Sequence, residues 1–199
     1  MRIACLVLAT ANPGKVRELA PLVAEWGPLE VRSLADVAPM AMPEETGDTY
    51  EATAVLKARA VAVATGLSAL ADDSGIEVDA LGGRPGVHSA RYAESEEARN
   101  AKLLAELRDV PIERRTARYR AVVALALPDG TVVTGEGVCE GRIAEAPRGS
   151  GGFGYDPIFV ASELGRTIGE STAAEKARVS HRARAMRVLG RALQGRGFV

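Results

Sequence analysis

The chain predicts a mixed α/β fold, and three observations carry the prediction. A buried-strand run, IACLVLA at residues 3–9, passes straight into the turn and helix start TANPGK. Two long segments, 117–127 and 131–139, flank Pro128-Asp129-Gly130 and read as a hairpin. Between and after them lie stretches whose apolar residues recur at helical spacing. Strand and helix signals alternate along the chain, so a sheet flanked by helices is expected.

Each element has its own warrant. After the first strand, Asn12 is the N-cap and Pro13 the first helical residue, with Val16, Leu19, Val23 and Trp26 on the apolar face. A short strand near 29–33 leads into the loop DVAPMAMPEETG. Asp48 and Glu51 are expected to cap a helix running to about Thr65, with Tyr50, Ala54, Ala58 and Val61 facing inward. Residues 68–71 are a strand and GIEV a separate short piece, followed by a GGRPG turn, with His88 in a strand as a structural residue. Residues 95–108 form a charged helix bearing Leu103, Leu104 and Leu107. A glycine-rich loop, APRGSGGFGYDPIFV, enters a strand, and 173–194 is helical behind a Thr172…Glu175 capping box.

Composition narrows the function classes. At 199 residues and 47% hydrophobic content, the expectation is a single domain, 1–199, with a full core. No apolar run approaches the roughly 20 residues of a membrane span, and the opening lacks signal-peptide features. Two cysteines, Cys5 and Cys139, sit in apolar segments and read as reduced thiols of a cytoplasmic protein. A net charge of −1 argues against a general nucleic-acid or membrane binder.

The local chemistry begins at TANPGK. A strand, a tight turn and a helix N-terminus gather backbone N–H groups, and Lys15 adds a charge, which suits a phosphate. It is not a Walker pattern, and a capped helix with a solvent lysine is the simpler reading in isolation. Glu44/Glu45 and Asp72/Asp73 are adjacent acid pairs that each abut a turn and a buried element. Two such carboxylate sources suit Mg²⁺, and they equally suit a pair of solvated turns. Strand alternation separates the second pair, leaving one carboxylate to cap a turn and the other to face a cleft. SGGFGYDP sets three glycines around Phe153 and Tyr155, either of which offers a ring face to a base or a simple loop anchor. On the final helix, Arg182 shares the inward face with Met186, Leu189 and Leu193, opposite Arg184, Arg187 and Arg191. An inward arginine needs an anion or polar ligand, and Lys176 joins that face only if the helix restarts near Ser180-His181. No nucleophile arrangement is legible, which leaves attack by water with a metal and an aspartate base.

These stretches in this order resemble the inosine triphosphate pyrophosphatase family: LATANPGKVREL, EETGDTYEATAVLKA, ALADDSGIEVDALGGRPGVHSARY, GSGGFGYDPIFV and EKARVSHRA. The resemblance implies an elongated mixed sheet flanked by helices, two lobes with a central substrate cleft, and a homodimer. It implies Mg²⁺-dependent hydrolysis of ITP, dITP and XTP to the monophosphate and pyrophosphate. Thr10, Ala11, Asn12, Pro13, Gly14 and Lys15 would hold the triphosphate, and Glu44 and Asp73 the metal, with Asp73 also the general base. Lys15, with Lys57 as a candidate second, would offset leaving-group charge. Ser74 would touch the substrate, while Phe153, Gly154, Tyr155, Asp156, Lys176, His181 and Arg182 would surround base and sugar. On the same reading Asp72 serves the turn.

The chain departs from the family pattern where Ala52-Thr53-Ala54 stands in place of Glu-Asn-Ala, with Glu51 one residue earlier. Ala183 follows the SHR stretch in place of the usual glycine. A Maf-like pyrophosphatase is the nearest rival, and GGFGYDP and SHR speak against it. A Nudix hydrolase lacks its R-E-x-x-E-E helix here. An RNA-binding module built on the arginine stripe is the rival of another class, opposed by net charge and the lack of interleaved aromatics.

Overall fold

Strand β1 (Cys5–Leu8) lies parallel to β2 (Glu30–Ser33) on one side and to β3 (Ser68–Val78) on the other. The crossovers are α1 (Pro13–Ala24) and α2 (Tyr50–Thr65). The computed structural model describes residues 2–43 and 47–199. Four further strands, β4 (Thr116–Ala126), β5 (Val132–Ile143), β6 (Phe159–Ala161) and β7 (Arg166–Thr167), complete one sheet in the order β2-β1-β3-β4-β5-β6-β7. Strands β5, β6 and β7 pair antiparallel. The remaining helices are α3 (Glu96–Glu106), α4 (Ala173–Val179) and α5 (His181–Gly195). The expected mixed sheet flanked by helices is what forms.

The chain divides into two compact units. Unit 1 takes residues 1–73, 121–137 and 182–199, and unit 2 takes 74–120 and 138–181. Unit 1 is cored by Leu6, Leu8, Leu19, Leu70, Val123, Leu125, Leu189 and Leu193, all at most 1% exposed. Each such leucine stabilises the fold by about 2 kcal/mol. Unit 2 has its own core, in which Ile76, Leu103, Leu107, Ile143, Ile158 and Phe159 are sealed from solvent. Strands β3, β4 and β5 each run through both units.

Several boundaries differ from expectation for identifiable reasons. Strand β3 is continuous through Asp72-Asp73-Ser74-Gly75. Side-chain cations meet both aspartates, so the acid pair is carried inside the strand and does not end it. The cap of α2 is Thr49, whose hydroxyl accepts from Ala52 N–H at 3.1 Å; Asp48 lies one residue outside. His88 lies in a 3-10 turn, Gly86–Arg91. There Ser89 Oγ accepts the Ile76 N–H at 2.9 Å, so a side chain stands where a strand partner would. The Thr172–Glu175 capping box forms as expected, with reciprocal contacts of 2.9 and 3.2 Å.

The final helical region breaks at Ser180, whose extended backbone separates α4 from α5. That restart lets Lys176 and Arg182 both point inward although they cannot share one continuous face. Arg182 lies with Met186, Leu189 and Leu193, each at most 2% exposed. Arg191 is exposed as expected, but Arg184 and Arg187 are half-buried, so the arginine stripe is only partly solvated.

Candidate functional site

The first cluster is built in unit 1 around the end of β1 and the start of α1. Asn12 caps α1, its Oδ1 accepting from Gly14 N–H at 2.8 Å and Lys15 N–H at 3.3 Å. Two first-turn donors are therefore already engaged, and the positive charge of the turn is carried by Lys15 and the helix dipole. Thr10 Oγ1 accepts the Asn12 N–H at 3.2 Å, fixing the turn, while Ala11 and Pro13 are exposed and Gly14 is buried.

Lys15 is not a solvent lysine. Its Nζ sits 3.0 Å from Asp72 Oδ1, and burial pushes the ammonium pKa down while Asp72 pulls it back up. Asp72 is fully buried and serves no turn, contrary to expectation. Its other oxygen accepts from Arg182 Nε at 2.9 Å. Burial alone would raise the Asp72 carboxyl, but Lys15, Arg182 and Lys57 together outweigh it and hold it well below the usual carboxylate range. Arg182 also pairs with Glu18, one turn along α1 from Lys15. The anion that the inward arginine required is thus supplied from within the protein.

Asp73, the next residue on β3, alternates to a different setting. Its side chain keeps 14% exposure, and Oδ1 lies 3.7 Å from Lys57 Nζ on α2. One strand thus presents a buried aspartate locked into ion pairs and a partly open one beside a lysine. Glu44, named with Asp73 as a metal ligand, lies outside the described residues, as does Glu45. Glu51 Oε1 accepts from Thr134 Oγ1 at 3.2 Å, so it is engaged on β5. Thr53, at the departure from the family pattern, is buried 2.5 Å from where a Cβ on Gly47 would stand, so it packs against the start of the helix.

The second cluster belongs to unit 2, where Ser74 is the first residue, half-buried on β3. Asp156 is its hub. The carboxylate accepts from the Phe153 N–H at 2.8 Å, from the Tyr119 hydroxyl at 3.3 Å and from Lys176, whose Nζ also stands 4.6 Å over the Phe153 ring. Gly152 admits this arrangement, because a Cβ there would lie 2.0 Å from Asp156 Oδ2. Tyr155 is buried, donates its hydroxyl to Ser89 O at 2.8 Å, and has its pKa pushed up by burial. His181 stacks on Tyr119 with ring centroids 4.5 Å apart and planes 9° apart.

Of the residues named from sequence, Lys15, Asp73 and Arg182 gather in unit 1, and Phe153, Tyr155, Asp156, Lys176 and His181 gather in unit 2. Glu18 and Tyr119 were not foreseen. Helical spacing from Lys15 is a signal for Glu18, whereas Tyr119 carries none, being one aromatic in an apolar strand.

A sequence model of the Ham1 family matches residues 6–192. The chain is 57% identical over 182 residues to a dITP/XTP pyrophosphatase of Symbiobacterium thermophilum, covering 91% of this chain and 90% of that one. It is 53% identical over 184 residues to a dITP/XTP pyrophosphatase of Geobacillus kaustophilus, covering 91% and 90%. Among solved structures, a HAM1 protein from Coxiella burnetii superimposes with a TM-score of 0.86 at 37% identity, covering 97% of this chain and all of that one.

Proposed function

The chain belongs to the Ham1 family, and from that premise we propose that it hydrolyses non-standard purine nucleoside triphosphates, dITP, ITP and XTP, to the monophosphate and pyrophosphate. The reaction removes these nucleotides from the pool. The observation that carries the reading is the pair on β3: Asp72 sealed in ion pairs with Lys15 and Arg182, and Asp73 left partly open beside Lys57.

In this reading Asp73, Lys15 and the 10–14 turn handle phosphate, and Phe153, Tyr155, Asp156, Lys176 and His181 handle base and sugar. Asp73 takes the proton of the attacking water, with Lys57 Nζ 3.7 Å from its Oδ1. Lys15, held by Asp72, and the 10–14 turn receive charge that builds on the leaving pyrophosphate. Arg182 holds Asp72, and so Lys15, in place. Phe153 offers a ring face to the purine, with Lys176 and Asp156 fixing its position. His181, oriented by Tyr119, faces the 6-oxo group common to hypoxanthine and xanthine. An adenine amino group there would leave a buried donor unpaired, which disfavours ATP.

Asp73 is a hard, partly open oxygen donor of the kind Mg²⁺ takes. An ion that keeps several waters and takes one or two carboxylates plus substrate phosphates suits such a site, with Asp73 and Glu44 as its protein ligands. When bound, Mg²⁺ would neutralise phosphate oxygens. We further propose a homodimer in the cytoplasm, with residues 1–199 as one catalytic domain and no nucleic-acid partner.

The test is pyrophosphate release with Mg²⁺ across dITP, XTP and the four standard dNTPs, with Asp73→Asn beside the parent. Selective turnover of dITP and XTP, lost in Asp73→Asn, is expected. Equal turnover of dGTP or dTTP would instead favour a Maf-like activity.

A further inference from the structure

The loop that carries Phe153 is held by a part of the molecule with no role so far. Gly154 donates its backbone N–H to Glu96 Oε2 at 2.8 Å, and its carbonyl accepts from Asn100 Nδ2 at 3.1 Å. Glu96 and Asn100 are four residues apart on α3, so they stand on one face of the helix, an acceptor followed by a donor. Together they read both polar edges of a single residue. Gly154 has φ +66°, a left-handed backbone that glycine adopts at little cost, and a Cβ there would meet nothing within 4 Å. Glycine is needed at this position for its backbone, not for space.

The consequence falls on the neighbours of Gly154. Its N–H belongs to the peptide that follows Phe153, and its carbonyl belongs to the peptide that precedes Tyr155. Asp156 already grips the Phe153 N–H, and the Tyr155 hydroxyl is anchored on Ser89. The Gly154 peptides are therefore a remaining backbone freedom by which the Cα–Cβ direction of Phe153, and with it the ring, could shift. Asn100 is 8% exposed, and its Oδ1 is buried with no hydrogen-bond partner among the described residues. A buried acceptor left unpaired opposes folding, so stability alone does not account for an asparagine here. Glu96 Oε1 has Arg99 at 3.8 Å, and Arg99 is tied to Ala90 O at 2.7 Å, which steadies the glutamate from the other side.

We infer that Glu96 and Asn100 are positioning residues for base selection: they clamp Gly154 and so set the angle at which Phe153 meets a purine. This rests on the proposed reading of the 153–156 loop as the base-binding segment. Neither residue touches the substrate. Both act through the loop, so their loss blurs discrimination between bases while the phosphate chemistry continues.

The experiment combines amide hydrogen exchange at residues 153–156 with kcat and KM for dITP and dGTP. The variants are Glu96→Ala, Asn100→Ala and Glu96→Gln. In Glu96→Ala the Gly154 amide should exchange faster, and selectivity for dITP over dGTP should fall about tenfold, the loss of a hydrogen bond to a charged group. The fall should come through KM, with kcat for dITP retained. Glu96→Gln keeps an acceptor for the Gly154 N–H and should restore both readouts. Glu96 is half-exposed, so its variants test the clamp even if Asn100→Ala fails to fold. Faster exchange with unchanged selectivity overturns the inference and leaves the proposed activity standing, and so does exchange that Glu96→Ala does not alter. A parent protein that turns over no dITP defeats the functional reading itself, and the inference with it.

Discussion

Asp72 shows how much one carboxylate can organise. It pairs with two cations at once, and with its pKa held low it remains charged across the physiological range. A carboxyl with a depressed folded pKa contributes stability that is complete above its unfolded value, about pH 4, and lost as pH falls towards the folded one. Asp72→Asn should therefore cost about 3–5 kcal/mol at pH 7, because Lys15 loses its carboxylate partner and Arg182 keeps only Glu18. The penalty should shrink as the parent is titrated below pH 4, a trend that urea unfolding at pH 7 and pH 3 measures directly. Lys15→Met removes one of those cations and the charge on the 10–14 turn. It should lower kcat for dITP by about 10²-fold, as loss of a charge-stabilising donor does elsewhere, with steady-state kinetics as the check. The inward direction of Arg182 was legible from helical spacing alone. The identity of its partner was not, since nothing in the order of residues says that positions 18, 72 and 182 meet.

Helix α5 packs so closely on β5 that side chains are excluded from the contact. A Cβ on Gly135 would lie 2.5 Å from the Ala185 carbonyl and 2.7 Å from the Leu189 amide, both backbone atoms that cannot turn aside. Gly135→Ala should cost about 1–3 kcal/mol, with a fall in Tm of roughly 3–10 °C by calorimetry. Element types were well announced in the sequence, because periodicity and capping act locally: α1 with Asn12 and Pro13, the β4–β5 hairpin and the Thr172 box all stand where those signals put them. The misread elements were those decided at a distance. The DDSG stretch looks like a turn until cations from α1, α2 and α5 reach it, and His88 sits in a strand-like string until Ser89 is seen to occupy the donor of Ile76.

At the scale of the molecule, charge balance is the governing quantity. The chain carries 25 basic and 26 acidic residues, and several arginines pair with acids of the same chain: Arg182 with Asp72 and Glu18, Arg118 with Asp79 and Glu140, Arg120 with Glu77. With Arg184 and Arg187 half-buried, the last helix offers a poor stripe for a polyanion. No retention on an RNA column at physiological salt is expected. The division into two units was less legible than the overall class, because periodicity describes single elements whereas a core is defined by which distant elements meet.

The interleaving of the two units has a consequence for synthesis. Unit 1 is assembled from three separated stretches of chain, the last beginning at residue 182. A ribosome that has delivered the first 181 residues has made all of β1 to β7 but none of the face supplied by Met186, Leu189 and Leu193, and no guanidinium for Asp72. A polypeptide that stops before residue 182 would leave the core of unit 1 open. Quality control of this protein is thus written into the order in which its parts emerge.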